Sequence, residues 1–335
     1  MYILGMESSC DETSAAIVEY REGVFEIKSN IIASQIETHR LYGGVVPEIA
    51  SRAHIEAVSR ITTEALCEAG ITLNEIDCIA VTTHPGLIGA LLVGVNFAKS
   101  LAYANNIPLV SVDHVRGHVC SAYLADKDLK APFLALVVSG GHTAIYTCEK
   151  EDALCEIATT RDDAAGEAFD KIGRVIGMPY PGGAALDKLA YEGDNKAIKL
   201  PSPALAHTLD FSFSGIKTAA LNYINSATQR GEEINRADLA ASYTHTIVTA
   251  IAKQTEAALI ETGMKQLVLA GGVAANSHLR AALEDTCKRL GVRFTVPPRS
   301  LCGDNAAMIA VSGCFEYLNG RFCDTALNAS ANDEM

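Results

Sequence analysis

No apolar run in this chain approaches the ~20 residues that a membrane-spanning helix needs, so a helical integral membrane protein is excluded. No C-x-x-C pair occurs among its ten cysteines, and their scatter fits reduced cytosolic thiols better than a disulfide framework. Most of them read as small buried hydrophobes. Positive charge is short: 27 Lys and Arg face 40 Asp and Glu, a net charge of -13. Such a chain is a poor stand-alone binder of nucleic acid, because phosphate contacts need clustered cations. The glycine signatures G-x-x-x-x-G-K-[ST] and G-x-G-x-x-G are both missing, which disfavours the P-loop and dinucleotide-binding folds. No basic n-region with a cleavage site opens the sequence, so the expected location is cytoplasmic.

What is present suits a large buried core. The chain has 335 residues, of which 49% are hydrophobic; that length predicts two domains or lobes. Tyr2 to Met6 and Ser14 to Val18 are apolar runs around a small polar turn, Glu7 to Thr13, which predicts a β-hairpin. The same grammar recurs at Phe133 to Val138, Ser139-Gly140-Gly141-His142-Thr143, and Ala144 to Thr147, a weak internal repeat with one copy opening each half. Helix is expected around Pro47 to Ala69 and strand at Ile76 to Thr82. The small residues of Pro85 to Gly94 predict close helix packing, or else a helix N-terminus facing an anion. Gln266 to Leu269, the turn Ala270 to Asn276 and a helix from Ser277 form strand, glycine turn and helix, an arrangement suited to a nucleotide phosphate.

The most specific feature is His114 and His118 in Asp-His-Val-Arg-Gly-His, directly after the strand-like Ile107 to Val112. On a helix starting near Asp113, the i to i+4 spacing stacks both rings on one face. Asp304, after the Pro297-Pro298 turn, is a candidate third ligand. Two His and one carboxylate bind a divalent metal and leave positions open, as non-haem iron or catalytic zinc does. Elsewhere, acids interleaved with small residues in Asp162 to Lys171, near Tyr180-Pro181-Gly182-Gly183 and Asp187, suit a pocket wall that binds ribose or a cation. No linker separates the halves, which predicts tightly joined lobes with a cleft. The acidic end, Asn328 to Met335, reads as a frayed tail.

Taken in order, these stretches are recognisable: Ile3 to Thr13, Gly43 to Glu48, the His114/His118 pair, Val138 to Thr143, Asp163 to Lys171, Phe211 to Thr218, Gly271 to Asn276 and Asp304-Asn305. Over almost its whole length the chain resembles the TsaD (Gcp) family, the tRNA adenosine threonylcarbamoyltransferases. The resemblance implies a two-lobed α/β fold, actin-like and Hsp70-like, with 1–130 plus 303–335 as the N-terminal lobe carrying the metal site. Residues 131–302 would form the C-terminal lobe and carry most of the nucleotide site. It implies transfer of threonylcarbamoyl from threonylcarbamoyl-AMP to N6 of the adenosine beside the anticodon, in tRNAs that read codons starting with A.

By match to the family's motifs, His114, His118 and Asp304 would hold one divalent metal, iron(II) before zinc. Val137, Val138, Ser139, Gly140, Gly141, Asp170, Gly183, Asp187 and Asn276 would hold the adenylate-type donor. Glu12 and His142 are candidates for the general base by residue type alone. The implied partners are tRNA, a paralogous dimerisation subunit and a small ATPase. One position departs from the family pattern: His84 stands where G-P-G-L normally begins, which bears on the shape of that loop. Three other readings share features with this chain. They are an actin-like phosphotransferase, a nucleotide-switched binding protein, and a metalloprotease, for which H-E-x-x-H would be needed in place of His114-Val115-Arg116-Gly117-His118.

Overall fold

The computed structural model describes residues 1–151 and 153–332, and these divide into two compact units. Unit 1 is Met1–Lys130 together with the chain from Pro297 on; unit 2 is Ala131–Val296. The second crossing thus falls at Pro297, and residues 297–302 lie with unit 1 rather than with the second half.

Unit 1 opens with β1 (Tyr2–Glu7), β2 (Glu12–Arg21) and β3 (Val24–Ser34), an antiparallel meander. The short α1 (Ile36–Arg40) leads to α2 (Pro47–Ala69), which begins with proline at its first position, where no N–H is needed. β4 (Cys78–His84), α3 (Ile88–Asn105) and β5 (Leu109–Asp113) follow, then α4 (His114–Cys120) and α5 (Ala122–Ala125). The sheet order is β3-β2-β1-β4-β5, with β1, β4 and β5 parallel. Central strands covered on both faces carry continuous apolar runs, and Leu4, Met6, Ile79 and Val81 are fully buried in one core cluster.

Unit 2 repeats this plan with β6 (Phe133–Val138), β7 (Thr143–Lys150) and β8 (Ala153–Thr159) as its meander. Then come α6 (Ala165–Val175), α7 (Gly182–Leu189), α8 (Ser214–Gln229), α9 (Arg236–Thr262), β9 (Gln266–Ala270), α10 (Ser277–Leu290) and β10 (Arg293–Thr295). The order β10-β9-β6-β7-β8 is that of the first sheet, strand for strand, with the same three parallel members. The internal repeat read from the two hairpins is therefore a duplication of the whole sheet.

The chain returns to unit 1 as α11 (Ala306–Leu318), whose first amide donates to Ser14 Oγ at 2.9 Å. Past α11 the expectation of a frayed tail fails for the described part, 328–332. Ser330 N donates to Thr83 O at 2.9 Å, Gly86 N donates to Ala331 O at 3.3 Å, and Leu327 and Ala329 pack on the core cluster. Apolar side chains that a count of acids overlooks bring this segment down; the rest of that stretch, 333–335, lies outside the described residues. At α3 the close-packing reading holds. Ser8 Oγ lies where a Cβ on Gly94 would go, and the Leu87 amide at the helix start donates to Ser9 O at 2.8 Å.

Candidate functional site

The end of β5 runs directly into α4, and Asp113 makes that junction sharp. Its side chain accepts the Arg116 amide at 2.6 Å, an N-cap. The i to i+4 spacing then puts His114 and His118 on one face, with ring centroids 4.6 Å apart. Asp304 precedes α11, whose own N-cap, Asn305, accepts from Met308 N at 3.1 Å. Its Oδ1 lies 3.6 Å from His114 Nε2 and 3.2 Å from His118 Nε2. One ligand atom from each of the three residues falls within 4.8 Å of the others.

Two observations fit this trio to a cation. The first is His118: it is 1% exposed, yet among the described residues neither ring nitrogen has a hydrogen-bond partner. The 3.2 Å approach to Asp304 lacks hydrogen-bond alignment. A buried imidazole without partners is costly, and a metal removes that cost. The second is Glu7, the last residue of β1. Its Oε2 lies 3.0 Å from His114 Nδ1 and accepts from Thr82 Oγ1 at 2.7 Å, while Oε1 accepts from Ser9 N at 2.5 Å. With the proton on Nδ1 facing this carboxylate, Nε2 is the nitrogen turned to Asp304, as a carboxylate behind a metal-bound His arranges it. The signal for Glu7 was an acid at the end of an apolar strand, where a buried charge needs a partner.

Electrostatics reflect the crowding of acids. Burial opposes a charged His114, but Asp304 and Glu7 outweigh it and push the ring up to about 10. Burial would likewise raise Glu7, but the charge and hydrogen bond of His114 hold its carboxyl below the ordinary value. Glu12, at the start of β2, is pushed up to about 9 by burial and by the charges of Asp304 and Asp11. A carboxyl in that state keeps its proton near neutral pH until a positive charge arrives. His84 reaches the same region: Nδ1 lies 2.8 Å from Thr83 Oγ1, and Nε2 lies 3.5 Å from the carboxylate of Asp113. His84 therefore adds a polar contact to the cap of α4.

In unit 2 the expected substrate residues are tied together pairwise. Val137 and Val138 are buried at the end of β6. Gly271, at the end of β9, packs against Val138 so closely that a Cβ would sit 2.4 Å from its carbonyl oxygen. Gly166 N, at the start of α6, donates to Ser139 O at 3.2 Å. Ser139 Oγ accepts from His142 N at 3.0 Å, closing the turn, and Gly140 and Gly141 stand exposed at its tip with no atom near a would-be Cβ. Asp170 on α6 accepts from Gly183 N at the start of α7 at 2.9 Å. Asn276 caps α10 through Leu279 N at 2.8 Å.

Two acidic features of unit 2 already have protein partners. Asp187 binds Ser277 N at 3.1 and 3.0 Å, Ser277 Oγ at 2.8 Å and His278 Nδ1 at 2.7 Å, so its oxygens already fix α7 to the start of α10. Burial would raise its carboxyl, but these donors hold it below the usual range. In the stretch Asp162 to Lys171, expected to form a pocket wall with Tyr180 to Gly183 and Asp187, the first two acids are already paired. Asp162 accepts from Phe213 N, Ser214 N and the hydroxyls of Ser212 and Ser214, and Asp163 pairs with Lys217 and Lys171. All of these partners except Lys171 lie some fifty residues downstream, in Ser212 to Lys217.

The duplicated sheets define the two-lobed actin-like ATPase class of α/β folds. Full-length HypF in its phosphate- and nucleotide-bound form is similar, with a TM-score of 0.61 at 15% identity over 99% of this chain and 47% of that one. Within this class the sequence is more specific. The profile described as TsaD, tRNA N6-adenosine threonylcarbamoyltransferase, matches residues 26–311, and the chain belongs to that family. A tRNA N6-adenosine threonylcarbamoyltransferase of Clostridium botulinum (strain 657) is 52% identical over 98% of this chain and 96% of its own length. The one from Geobacillus thermodenitrificans is 51% identical over the same shares. The protein is an enzyme, a transferase of tRNA modification, and this decides against the phosphotransferase, switch and protease readings. Among the described residues no helix is long and apolar enough to cross a membrane.

Proposed function

We propose that the chain moves the threonylcarbamoyl group from threonylcarbamoyl-AMP to N6 of the adenosine beside the anticodon, in tRNAs reading codons that start with A. His114, His118 and Asp304 would hold one divalent metal, iron(II) before zinc. Of the two observations that support a metal, the stronger is the buried His118 ring, which has no hydrogen-bond partner and lies 3.2 Å from the Asp304 carboxylate. A bound cation would supply Lewis acidity and positive charge toward a phosphate-bearing donor.

In this reaction a bond forms between N6 and the carbamoyl carbon, the bond from that carbon to the phosphate oxygen breaks, and AMP departs. The exocyclic amine is a weak nucleophile, so orientation of both reactants carries much of the rate. The exposed turn at Ser139, Gly140 and Gly141 suits the departing phosphate, where successive amides can gather around an anion. Asp170 and Gly183 would seat the ribose side, and Asn276 the nucleotide end. Asp187 would act there through the α10 terminus that it fixes. The amine must lose a proton: Glu12 and His142 remain the candidates, and Glu12 accepts one only after a cation at Asp304 lowers its affinity for its own.

A net charge of -13 gives the chain alone little hold on tRNA phosphates. A paralogous dimerisation subunit and a small ATPase would complete the tRNA-binding assembly. The tRNA substrate and the lack of any disulfide among the described residues suit the reducing cytoplasm. The test is transfer of radiolabelled threonine from threonylcarbamoyl-AMP to unmodified tRNA in the presence of both partners. Label on tRNA with the native chain, lost in His118→Ala, supports the reading; equal label with the variant removes the metal from it.

A further inference from the structure

We propose that Arg116 and Glu316 are positioning residues for the three ligands, locking the helix that carries His114 and His118 against the helix that follows Asp304. This rests on the metal reading above. α4 has seven residues, too few to be stable as an isolated helix, so tertiary contacts must set its place. Arg116 sits two residues from each histidine, which turns it to the opposite side of the helix. There its guanidinium ion-pairs with Glu316 of α11, with the two side chains 14% and 10% exposed.

Glu316 is held a second time, by Arg321 Nη1 at 3.2 Å from each oxygen. Between these points Gly117 brings α4 so close to α11 that a Cβ there would lie 2.7 Å from Ile309 Cδ1. One helix thus has a ligand carboxylate just before its first residue and the anchor of the other ligand helix near its far end. A pair this enclosed contributes little net stability, because the lost hydration of both charges offsets their attraction. What it does fix is geometry: the guanidinium has a planar fork and few orientations. A slide of α4 along α11 would move both imidazoles relative to Asp304 at once, and metal affinity is sensitive to such shifts.

The choice of variant follows from the asymmetry of the cluster. Arg116→Met keeps the length of the side chain and leaves Glu316 paired with Arg321, so no buried charge is stranded. The probe is cobalt(II), whose visible absorption reports the number and arrangement of its ligands. Metal-free wild type and variant are titrated with it, and their thermal midpoints are compared without metal. The expected result is a cobalt affinity lowered about 10- to 100-fold, as for other groups that orient ligands, with a changed spectrum and a similar metal-free midpoint. Arg116→Lys, which keeps the charge and loses the fork, carries the same test if the methionine variant does not fold. Affinity and spectrum equal to wild type would overturn the proposal alone. No cobalt binding by wild type would overturn the metal reading and the proposal with it.

Discussion

Glu7 and His114 meet at 3.0 Å between Oε2 and Nδ1, in a place where the carboxylate is 1% exposed. Each group accounts for the ionisation of the other. Without His114, burial would favour the protonated Glu7; without Glu7, His114 would lose one of the negative charges that raise it. Glu7→Gln keeps an acceptor for the Nδ1 proton but removes the charge. Metal affinity is expected to fall about 10- to 100-fold, the usual effect of losing an outer-shell carboxylate. Competition against a chromophoric chelator measures it, and an unchanged affinity would place Glu7 outside the metal's electrostatic reach.

The raised His114 also sets how metal loading depends on pH. Its metal-free pKa is up to about 10, so at neutral pH the ring carries a proton that a cation must displace. As far as this proton is concerned, apparent affinity should therefore rise roughly tenfold per pH unit as pH approaches about 10 and level off above. The linked effect on the metal-free fold has the opposite sense. A group raised in the folded state contributes stability that is complete below its unfolded value, near 6.5, and lost as pH climbs to 10. Glu7, depressed in the fold, contributes above its unfolded value near 4.5, and that contribution is lost as pH falls. Denaturation of metal-free protein at pH 6.5 and 9.5 should show the first loss, and loaded protein should show it far less.

Asp162 gives a prediction for unit 2. Its carboxylate takes the amides of Phe213 and Ser214 at 2.7 and 3.1 Å and the Ser214 hydroxyl at 2.6 Å, gathering the donors at the start of α8. Asp162→Ala removes all of them, and by the scale of N-caps the cost is about 1–2 kcal/mol. Chemical denaturation reads it. Metal affinity in unit 1 should not move, and a loss there would contradict a local structural role for this acid.

What could be read from the chain, and what could not, divides along sequence distance. Apolar runs such as Phe133 to Val138 gave their strands, Asp113 before His114 gave the start of α4, and the paired hairpins gave the duplication. Those signals are local: periodicity, caps and turn residues. Asp304 was within reach because a metal needs a third ligand of known type. Glu7 with His114, Asp162 with Ser214, and Asp187 with Ser277 were hidden, since a carboxylate's partner is decided by which chain segment folds against it. The acids of Asp162 to Lys171 suit a pocket wall in sequence because an unpaired acid and an acid awaiting a distant amide are identical there.

The end of unit 1 shows the same point and yields the last prediction. Cys323 N donates to Leu109 O at 2.8 Å at the edge of β5, Lys99 Nζ donates to Leu327 O at 2.9 Å, and Ser330 N donates to Thr83 O at 2.9 Å. Ala331 O takes the Gly86 amide, and Gly86 is seated on Ser9, whose Oγ lies 3.2 Å from His114 Nδ1. Removal of the chain from Asp324 onward strips the acceptor from Gly86 and uncovers the core beneath Leu327 and Ala329. Amide exchange across Thr83 to Leu87 should accelerate, read by hydrogen-exchange mass spectrometry, while β6 and β9 in unit 2 keep their protection. Equal exchange in the shortened chain would mean that the β4–α3 loop is held by Ser9 alone. Faster exchange confined to that loop would mean that the tail supports the wall on which His114 rests.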